Sequence, residues 1–417
     1  MKRLVHTHYF PPEVNAPANR TSEHARRWAA DGHDVTIITG VPNHPKGELF
    51  DGYANRWFQE EQIDGIRVLR TWMYVTSNEG FLKRTLNYVL FAITAVLASF
   101  RAARPDVVIA TSPQFFCGLA GMVVSWLKWR PFVLEVRDLW PDSIVQLGQL
   151  NSRPIIALLE GIETRLYRSA AGIVVNTRAF VEHIAARRIP RERIELVYNG
   201  IDPTLFKPQP RNEVLLERNG LGGKHIIAYI GTLGLAHGLR TIIEAADRLR
   251  DEPDLAFVLI GDGADRDRLR REVAERGLVN LHLLGLRPRD EVPAWIASSD
   301  VLLVMLRDLP VFETVVPSKL FEFWAQERPI ILAAPHGECR KLMDDNNAGY
   351  SITPEDVDAV VGEIHRIRRD PEKAQLRAAA GRRLVESRFI RDDLARDMLS
   401  FIERTLSRVG EPPSPPN

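Results

Sequence analysis

Residues 225–260, HIIAYIGTLGLAHGLRTIIEAADRLRDEPDLAFVLI, place an amphipathic stretch between two apolar ones. Stretches 226–229 and 256–260 are short and continuously apolar, as expected of strands buried on both faces. Residues 239–250 between them have helical periodicity. A strand, a helix and a second strand in this order predict two parallel strands joined by a crossover helix, which is the unit of an α/β sheet with helices on both faces.

The same alternation extends in both directions along the chain. Further strands are predicted at 3–7, 35–39, 66–70, 107–110, 132–136, 173–175, 194–197, 281–284, 301–305 and 329–333. Further helices are predicted at 19–30, 82–103, 118–129, 154–169, 178–186, 265–276, 290–297 and 318–326, and residues 371–408 are almost entirely helix-forming.

A turn dipeptide, Asn199-Gly200, followed by a segment rich in proline and charge, separates two series of strands. We therefore predict one domain over residues 1–199 and a second over 200–385. Residues 386–409 are expected to form a C-terminal helix that packs back on the first domain. Residues 410–417, EPPSPPN after a glycine, are expected to be a disordered tail.

Composition excludes several classes of protein. Lys and Arg number 55 and Asp and Glu 54, so the formal charge of +1 argues against a nucleic-acid partner. The two cysteines, Cys117 and Cys339, fall in different predicted domains and imply no disulfide framework. The first residues lack the apolar segment of a secretion signal, and the longest apolar run, 88–100, is far short of the ~20 residues that cross a bilayer. We expect a cytoplasmic protein without a transmembrane helix.

The run PSKLFE, residues 317–322, indicates a phosphate site. Proline and serine suit the start of a helix, where free N–H groups and the helix dipole attract an anion, and Lys319 adds a cation. Glu322 lies one turn further, where its carboxylate can accept two hydroxyl groups of a ribose. The alternative is that Glu322 faces solvent on an amphipathic helix.

Seven stretches together resemble the retaining GT-B glycosyltransferases of family 4, in particular the bacterial O-antigen and capsule branch that includes L-fucosamine transferases. They are HYFPPEVNAPANRTSEHARRWAADGHDVTIIT (8–39), EVRDLWPDS (135–143), VYNGID (197–202), YIGTLGLAHGL (229–239), LIGDG (259–263), ASSDVLLV (297–304) and PSKLFEFWA (317–325).

This resemblance implies an α/β GT-B fold, with two Rossmann-like, doubly wound parallel-sheet domains facing across a cleft. The N-terminal domain would bind the acceptor and the C-terminal domain the nucleotide sugar. It also implies retaining transfer of a sugar, such as an N-acetylated or 6-deoxy hexose, from a UDP-sugar to a polyprenyl-diphosphate-linked sugar. The enzyme would be peripheral on the inner face of the cell membrane and would need no obligatory metal or other cofactor.

The second domain would hold the donor. Glu322 matches the second of two glutamates found in the family, whereas the first position is Thr314, beside Glu313. The family's arginine and lysine on the donor diphosphate are replaced by Thr232 and His237, so Lys319 is the expected compensating cation. The other expected donor contacts are Ser318, the turn at Gly261, and the loop from Gly231 to Gly234, which would act mainly through backbone N–H groups. The backbone of Leu286 and Arg287 would lie near the base. Alternatively, Gly231 and Gly234 form a plain strand-to-helix turn.

The first domain carries the remaining candidates. Arg137 stands where relatives have a histidine near the donor sugar, and because a guanidinium stays protonated it would act electrostatically rather than as a base. Asp138 would accept a hydrogen bond from the acceptor hydroxyl; alternatively, the two form a structural ion pair. The first loop offers Glu13, Asn15 and Ala16 as acceptor contacts and Arg20 as a phosphate contact, unless Arg20 only balances surface charge.

The predicted helix 82–103 has an apolar face and basic ends, and Trp126 and Trp129 lie in the same domain. This pattern suits a helix that lies on an anionic membrane, although its apolar face would equally pack on the sheet. Two other functions remain open: a UDP-sugar 2-epimerase, and a nucleotide-sugar-binding subunit without turnover, which the residues at 232, 237 and 314 favour. Fold does not decide among them.

Overall fold

The computed structural model describes residues 1–44, 47–76, 81–112, 114–146, 148 and 150–410. The chain divides into two compact units. Unit 1 comprises Met1–Asn199 together with the segment that begins at Arg391, and unit 2 comprises Gly200–Ile390. Apart from Gly410, the predicted tail lies outside the described residues.

Strands form one sheet in each unit. The strands of unit 1 are β1 (Lys2–His6), β2 (Asp34–Gly40), β3 (Phe58–Ile63), β4 (Ile66–Thr71), β5 (Val107–Thr111), β6 (Phe132–Val136), β7 (Gly172–Val175) and β8 (Ile194–Leu196). Those of unit 2 are β9 (His225–Ile230), β10 (Leu255–Ile260), β11 (Leu281–Gly285), β12 (Val301–Met305), β13 (Ile330–Ala333) and β14 (Tyr350–Ile352).

Helices cover the sheets and are numbered along the chain. They are α1 (Ala16–Ala30), α2 (Phe81–Ser99), α3 (Phe115–Lys128), α4 (Asp142–Gln146), α5 (Arg153–Ser169), α6 (Arg178–Ala186), α7 (Glu213–Arg218), α8 (Arg240–Arg248), α9 (Arg266–Glu275), α10 (Val292–Ala297), α11 (Ser318–Ala325), α12 (Glu338–Asp345), α13 (Val357–Arg369), α14 (Pro371–Arg388) and α15 (Arg391–Gly410). Single 3-10 turns lie at Arg191–Arg193, Leu235–His237 and Pro310–Thr314.

Both sheets have the doubly wound order expected from the sequence. The order is β3-β4-β2-β1-β5-β6-β7-β8 in unit 1 and β11-β10-β9-β12-β13-β14 in unit 2. Neighbouring strands are parallel except for β3, which pairs antiparallel with β4. The strand order reverses beside β1 and beside β9, and ligands of such sheets bind beyond the carboxyl ends of the strands at this point. The loops after β1, β9 and their neighbours are therefore where a site is expected.

Burial explains why these segments became strands and helices. All six residues of β10 are buried, as a central parallel strand covered by helices on both faces requires. Helix α1 begins where the Asn15 side chain accepts a hydrogen bond from Ala18 N (2.9 Å), with Pro17 in its first turn. Helix α15 belongs to unit 1, where the Trp28 indole donates to Ala395 O (3.2 Å).

Each predicted strand overlaps an observed one, and the differences have local causes. Strand β3, FQEEQI, was not predicted because it is a polar edge strand with half-exposed side chains. Helix α2 ends at Ser99 rather than at residue 103. There, Phe100 N and Arg101 N bond to carbonyls three residues back, which tightens the last turn before Pro105.

Candidate functional site

The loops after β9, β10 and β11 pack backbone against backbone at the carboxyl edge of the unit 2 sheet. Gly231 N donates to Ile260 O (2.9 Å), and Gly261 N donates to Gly285 O (3.0 Å). Gly231 and Gly261 have φ of 144° and 145°, and a Cβ on Gly261 would overlap the carbonyl oxygen of Gly231. Glycine is therefore required at 261 by close approach as well as by φ.

Lys319 lies in the first turn of α11 and directs its ammonium toward this loop. Its Nζ is 3.9 Å from the centroid of the Tyr229 ring, and a Cβ on Gly231 would overlap it. The Nζ atom is buried and makes no hydrogen bond to any residue that the structure describes. Burial lowers the pKa of Lys319 to about 7, against the opposing effect of Glu322. An unpaired buried ammonium is costly, so an anion beside it would be stabilised strongly.

Glu322 lies one turn further along α11 and is half-buried rather than solvent-facing. Burial raises the pKa of its carboxyl to about 7, while the charges of Arg289 and Lys319 act in the opposite direction. The structure thus brings Lys319 and Glu322 together electrostatically on one helix. It also adds Arg289, which sequence reasoning missed because nothing in the local pattern of the loop after β11 points to α11.

The two residues at the family's cation positions supply no charge. Thr232 is exposed, and its carbonyl accepts the hydroxyl of Tyr229 (2.8 Å). His237 has Nδ1 3.1 Å from Met305 O, and burial, followed by the charge of Lys319, lowers the pKa of its imidazole to about 4. His237 is therefore neutral near pH 7. Lys319 therefore supplies the positive charge that these two positions lack, beside Gly231.

The remaining donor candidates occupy different surroundings. Ser318 is the first residue of α11, where Pro317 at the N-cap provides no capping side chain, so the first-turn N–H groups can serve an anion. Leu286 is exposed after β11. The Arg287 side chain instead turns toward Asn219, with Nη2 3.3 Å from Oδ1, and toward the Trp295 ring. Only main-chain atoms of Arg287 are thus well suited to the predicted contact.

In unit 1, Arg137 and Asp138 follow β6. The ion pairs formed within the described part of the chain do not include one between these two side chains. Arg137 N donates to Ser112 Oγ (2.8 Å), whereas its side-chain Nε and Nη1 are buried and donate to no described residue. Burial lowers the pKa of this guanidinium to about 10, against the opposing charge of Glu135. Asp138 accepts from Ser143 Oγ (3.3 Å), and burial raises its pKa to about 6. The alternative of a structural ion pair is therefore wrong.

Asp138 also lines a small, partly open cavity of unit 1. The cavity has a volume of about 20 Å³, enough for about one water molecule. Its polar lining includes Ser112, Glu163 and Tyr167, and the Tyr167 hydroxyl donates to Glu163 (2.6 Å). Asp138 is thus partly desolvated, in a position where it can accept a hydrogen bond from a hydroxyl group at the sheet edge.

Glu13 stabilises the first loop through hydrogen bonds to backbone N–H groups, so its carboxylate is not available to a ligand. The Glu13 carboxylate accepts from Asn43 N (3.1 Å), His44 N (3.0 Å) and Phe10 N (3.3 Å). Burial raises its pKa to about 7, although these backbone bonds oppose the shift. Glu13 therefore joins the loops after β1 and β2, and its predicted role as an acceptor contact is corrected to a structural one. Ala16 is exposed at the start of α1, and Asn15 caps that helix.

Arg20 is buried and committed to three acceptors within unit 1. Its Nε donates to Glu135 (2.6 Å), and its terminal nitrogens donate to the carbonyls of Tyr198 (2.5 Å) and Val197 (2.9 Å). Burial raises the pKa of Glu135, but Arg20 and Arg137 together bring it down to about 2. The prediction that Arg20 reaches phosphate is wrong, as is its alternative of balancing surface charge, because the guanidinium is enclosed.

The described residues contain no group of three or more His, Cys, Asp or Glu side chains arranged to hold a metal ion. Among the helices that the structure describes, none combines the length and apolar character needed to cross a bilayer.

Comparison with protein families places both units. Residues 15–200 match the family described as "Glycosyl transferase 4-like domain", and residues 213–384 match "Glycosyl transferases group 1". The two matches follow one another along the chain and together include every candidate site residue except Glu13.

Three individual proteins illustrate the similarity. An Escherichia coli (strain K12) protein, WcaI, named as a colanic acid biosynthesis glycosyl transferase, is 28% identical over 376 residues, which are 88% of this chain and 92% of that protein. WbjE of Pseudomonas aeruginosa, named as a glycosyltransferase, is 27% identical over 70% of this chain and 74% of its own. The crystal structure of Anabaena Alr3699/HepE in complex with UDP-glucose superposes with a TM-score of 0.71 at 16% identity, over 97% of this chain and 100% of that one. At this identity the likeness establishes the fold, which is GT-B.

Proposed function

Because the chain is a glycosyltransferase of the GT-B fold and belongs to family 4, we propose that it transfers a sugar from a UDP-sugar to a polyprenyl-diphosphate-linked sugar, with retention of anomeric configuration. The transferred sugar would be an N-acetylated or 6-deoxy hexose, and the product a bacterial surface polysaccharide of the O-antigen or capsule type. The name of WcaI, which refers to colanic acid biosynthesis, supports this class of product.

The single observation that carries the proposal is the buried ammonium of Lys319, which makes no hydrogen bond to any residue that the structure describes. It lies against Gly231 at the carboxyl edge of the sheet, beside the N-terminus of α11. A diphosphate there would receive a cation, first-turn N–H groups and the helix dipole. As the glycosidic bond breaks, negative charge accumulates on the departing UDP, so a fixed cation stabilises the transition state more than the ground state.

Glu322 would bind the ribose of the same nucleotide. In its ionised form the carboxylate accepts two hydroxyl groups, and Arg289 and Lys319 favour that form. The loops around Gly261 and Leu286 would contact the base through main-chain atoms. Uracil is preferred here because UDP-glucose occupies the HepE structure of the same fold.

In unit 1, Arg137 and Asp138 would act on the sugar and the acceptor. The Arg137 guanidinium has two buried nitrogens that donate to no residue in the described part of the chain, and such donors suit an anionic or hydroxyl-rich ligand. Asp138 would orient the acceptor hydroxyl, and the hydroxyl proton would pass to the departing diphosphate. Neither residue needs a metal ion for these roles, and the proposal includes none.

The lipid-linked acceptor would be met at the inner face of the cell membrane through α2. This helix exposes Leu86, Ile93 and Leu97, and Phe100 follows it. Exposed basic residues lie at both ends, namely Lys83, Arg101 and Arg104. An apolar face with basic ends supports interfacial binding to anionic lipid.

A direct test combines binding and turnover on the full chain. Calorimetry with UDP and with GDP would compare the bases, and mass spectrometry would follow transfer from a panel of UDP-sugars to a synthetic polyprenyl-diphosphate sugar. We expect UDP to bind more tightly and one donor to yield product. UDP binding without transfer or hydrolysis would instead identify a binding subunit, and isomerisation of the soluble donor would identify an epimerase.

A further inference from the structure

A groove runs between α3 and α5 on the surface of unit 1. Its volume is about 730 Å³. One wall is the Trp126 side chain of α3, and the rest is a single face of α5. The residues of that face recur at intervals of three or four, as one side of a helix requires: Ala157, Glu160, Gly161, Thr164, Arg165 and Arg168.

Gly161 keeps this groove open. It lies in the middle of α5, where glycine is less favourable for helix stability than alanine. A Cβ at this position would meet no atom within 4 Å, so neither close packing nor a special φ requires glycine. A larger side chain at this position would extend into the groove that Trp126 also lines.

The groove joins cations to an aromatic face. Arg165 lies with its guanidinium carbon 6.0 Å from the centroid of the Trp126 ring, and Arg168 is exposed one turn further along α5. Neither arginine forms an ion pair within the part of the chain that the structure describes. Glu160 contributes one negative charge and Thr164 a hydroxyl group, so the net charge of the lining is positive.

The rims of the groove are apolar. On the α3 side Leu127 is exposed, and Trp129 is 84% exposed; on the α5 side Ile155 and Leu158 are exposed. Trp129 also holds a left-handed backbone, with φ 54°. This is the conformation of a helix C-cap, in which Trp129 N donates to Ser125 O and Trp126 O at the end of α3. Tryptophan beside arginine on an apolar rim is the side-chain composition of a membrane–water interface.

We infer that this groove binds the phosphate headgroup of an anionic phospholipid, with Arg165 and Arg168 on the phosphate and the rim residues in the acyl region. The site is distinct from the α2 face, and it would fix the rotation of unit 1 on the membrane surface because a groove binds one headgroup in one place. The inference rests on the proposed function only in that the acceptor is lipid-linked.

Co-sedimentation with vesicles tests it, using phosphatidylcholine vesicles with and without phosphatidylglycerol. The key variant is Gly161→Gln, which fills the groove with a polar side chain and adds helix propensity. We expect it to raise the thermal midpoint while weakening binding to phosphatidylglycerol vesicles severalfold. The matched control is Gly161→Ala, which also favours the helix but leaves most of the groove open, so vesicle binding should match that of wild type.

Arg165→Gln combined with Arg168→Gln should weaken binding on the order of 10- to 30-fold, as expected for two basic residues at an anionic surface. A charge-matched control is Arg193→Gln combined with Arg218→Gln, two exposed arginines outside the groove, which should change binding little. Soluble glycerol phosphate added to wild type separates the sources of phosphate. Weak competition, at millimolar concentrations or above, supports a lipid headgroup, whereas full displacement at micromolar concentration would identify a site for a soluble phosphate ester and overturn the inference.

Vesicle binding by Gly161→Gln equal to that of wild type would also overturn it. UDP calorimetry on the same variants keeps the two proposals apart. Loss of vesicle binding with intact UDP affinity concerns the groove alone, whereas absence of UDP binding by wild type concerns the proposed function and leaves the lipid result standing.

Discussion

The Lys319 ammonium lies 3.9 Å from the centroid of the Tyr229 ring, on the side of that ring next to Gly231. The ring offers a cation its negative face, which partly compensates for lost water without occupying the ammonium's hydrogen-bond donors. Tyr229 is held in turn, because its hydroxyl donates to Thr232 O (2.8 Å). The cation is thus positioned in advance, with its donors available to a ligand.

Lys319→Gln should lower kcat on the order of 100-fold while raising KM for the donor much less, because the charge acts chiefly on the departing diphosphate. Single-turnover kinetics would measure it, with the exposed Lys341→Gln as a control for charge. Adding Thr232→Arg and His237→Lys to the Lys319→Gln protein should restore part of the rate. An unchanged kcat and kcat/KM would mean that another group neutralises the diphosphate, with Arg137 the next to test.

Glu322→Gln should weaken UDP binding by about 1.5–3 kcal/mol, since hydrogen bonds to a charged carboxylate are lost. Calorimetry with UDP and 2′,3′-dideoxy-UDP on both proteins gives a double-mutant cycle. Wild type should discriminate against the dideoxy compound and the mutant should not. Equal discrimination by the two proteins would remove Glu322 from the ribose site.

UDP binding should take up a proton above neutral pH. The free protein holds Lys319 with a pKa of about 7, lowered by burial, and a bound diphosphate favours the ammonium and raises that pKa. Affinity therefore falls as pH rises through 7 toward the bound-state pKa, by up to tenfold per pH unit. Glu322, also with a pKa of about 7, opposes this loss of affinity because the carboxylate form that accepts the ribose hydroxyl groups predominates above that pH. His237, with a pKa of about 4, stays neutral over this range.

Calorimetry at pH 8 in buffers of different ionisation enthalpy would count the protons. Uptake by wild type that disappears in Lys319→Gln is the expected pair of results. No uptake by wild type would contradict the assignment of Lys319 to the diphosphate.

Gly261→Ala should destabilise unit 2 by about 2 kcal/mol or more, because the new Cβ meets the Gly231 carbonyl and φ is 145°. It should also weaken UDP binding by displacing the Gly231 loop. The control is Gly362→Ala in α13, where a Cβ would meet no atom within 4 Å, and where we expect stabilisation of about 0.5–1 kcal/mol. Urea denaturation would measure both changes, and equal stabilities would show that the loops yield freely.

Arg20→Met should destabilise unit 1 by about 3–5 kcal/mol, because it leaves Glu135 buried without its closest cation. Adding Glu135→Leu should recover much of the loss. Arg137→Met should change the free energy of unfolding far less, since its side-chain Nε and Nη1 donate to no described residue, yet it should lower transfer activity. Urea denaturation and an activity assay together distinguish the structural role of Arg20 from the functional role of Arg137. A large loss of stability in Arg137→Met, with a loss of activity alone in Arg20→Met, would contradict this assignment.

The fold could be predicted from local sequence because apolar strands and amphipathic helices alternate with little ambiguity. Local sequence also predicted that Lys319 and Glu322 lie on one short helix, because Pro317 and Ser318 mark where that helix starts. The prediction that Arg20 contacts phosphate was wrong because its carboxylate partner lies 115 residues away along the chain. A single sequence does not indicate a pairing over that separation. The predicted role of Glu13 as an acceptor contact was wrong for a similar reason. A loop carboxylate that accepts hydrogen bonds from neighbouring N–H groups has the same local sequence pattern as one that binds a ligand.

The chain enters unit 2 at Gly200 and leaves it at Ile390, and these two ends lie side by side: Ile201 and Ile390 form a parallel bridge, and Ile201 N donates to Phe389 O (2.8 Å). Unit 2 is therefore an insertion within unit 1. During synthesis, all of unit 2 emerges from the ribosome before α15, so the unit that begins first along the chain is the last to be completed. Until then Trp28 lacks the carbonyl of Ala395, and the nascent first unit exposes apolar surface that α15 later covers.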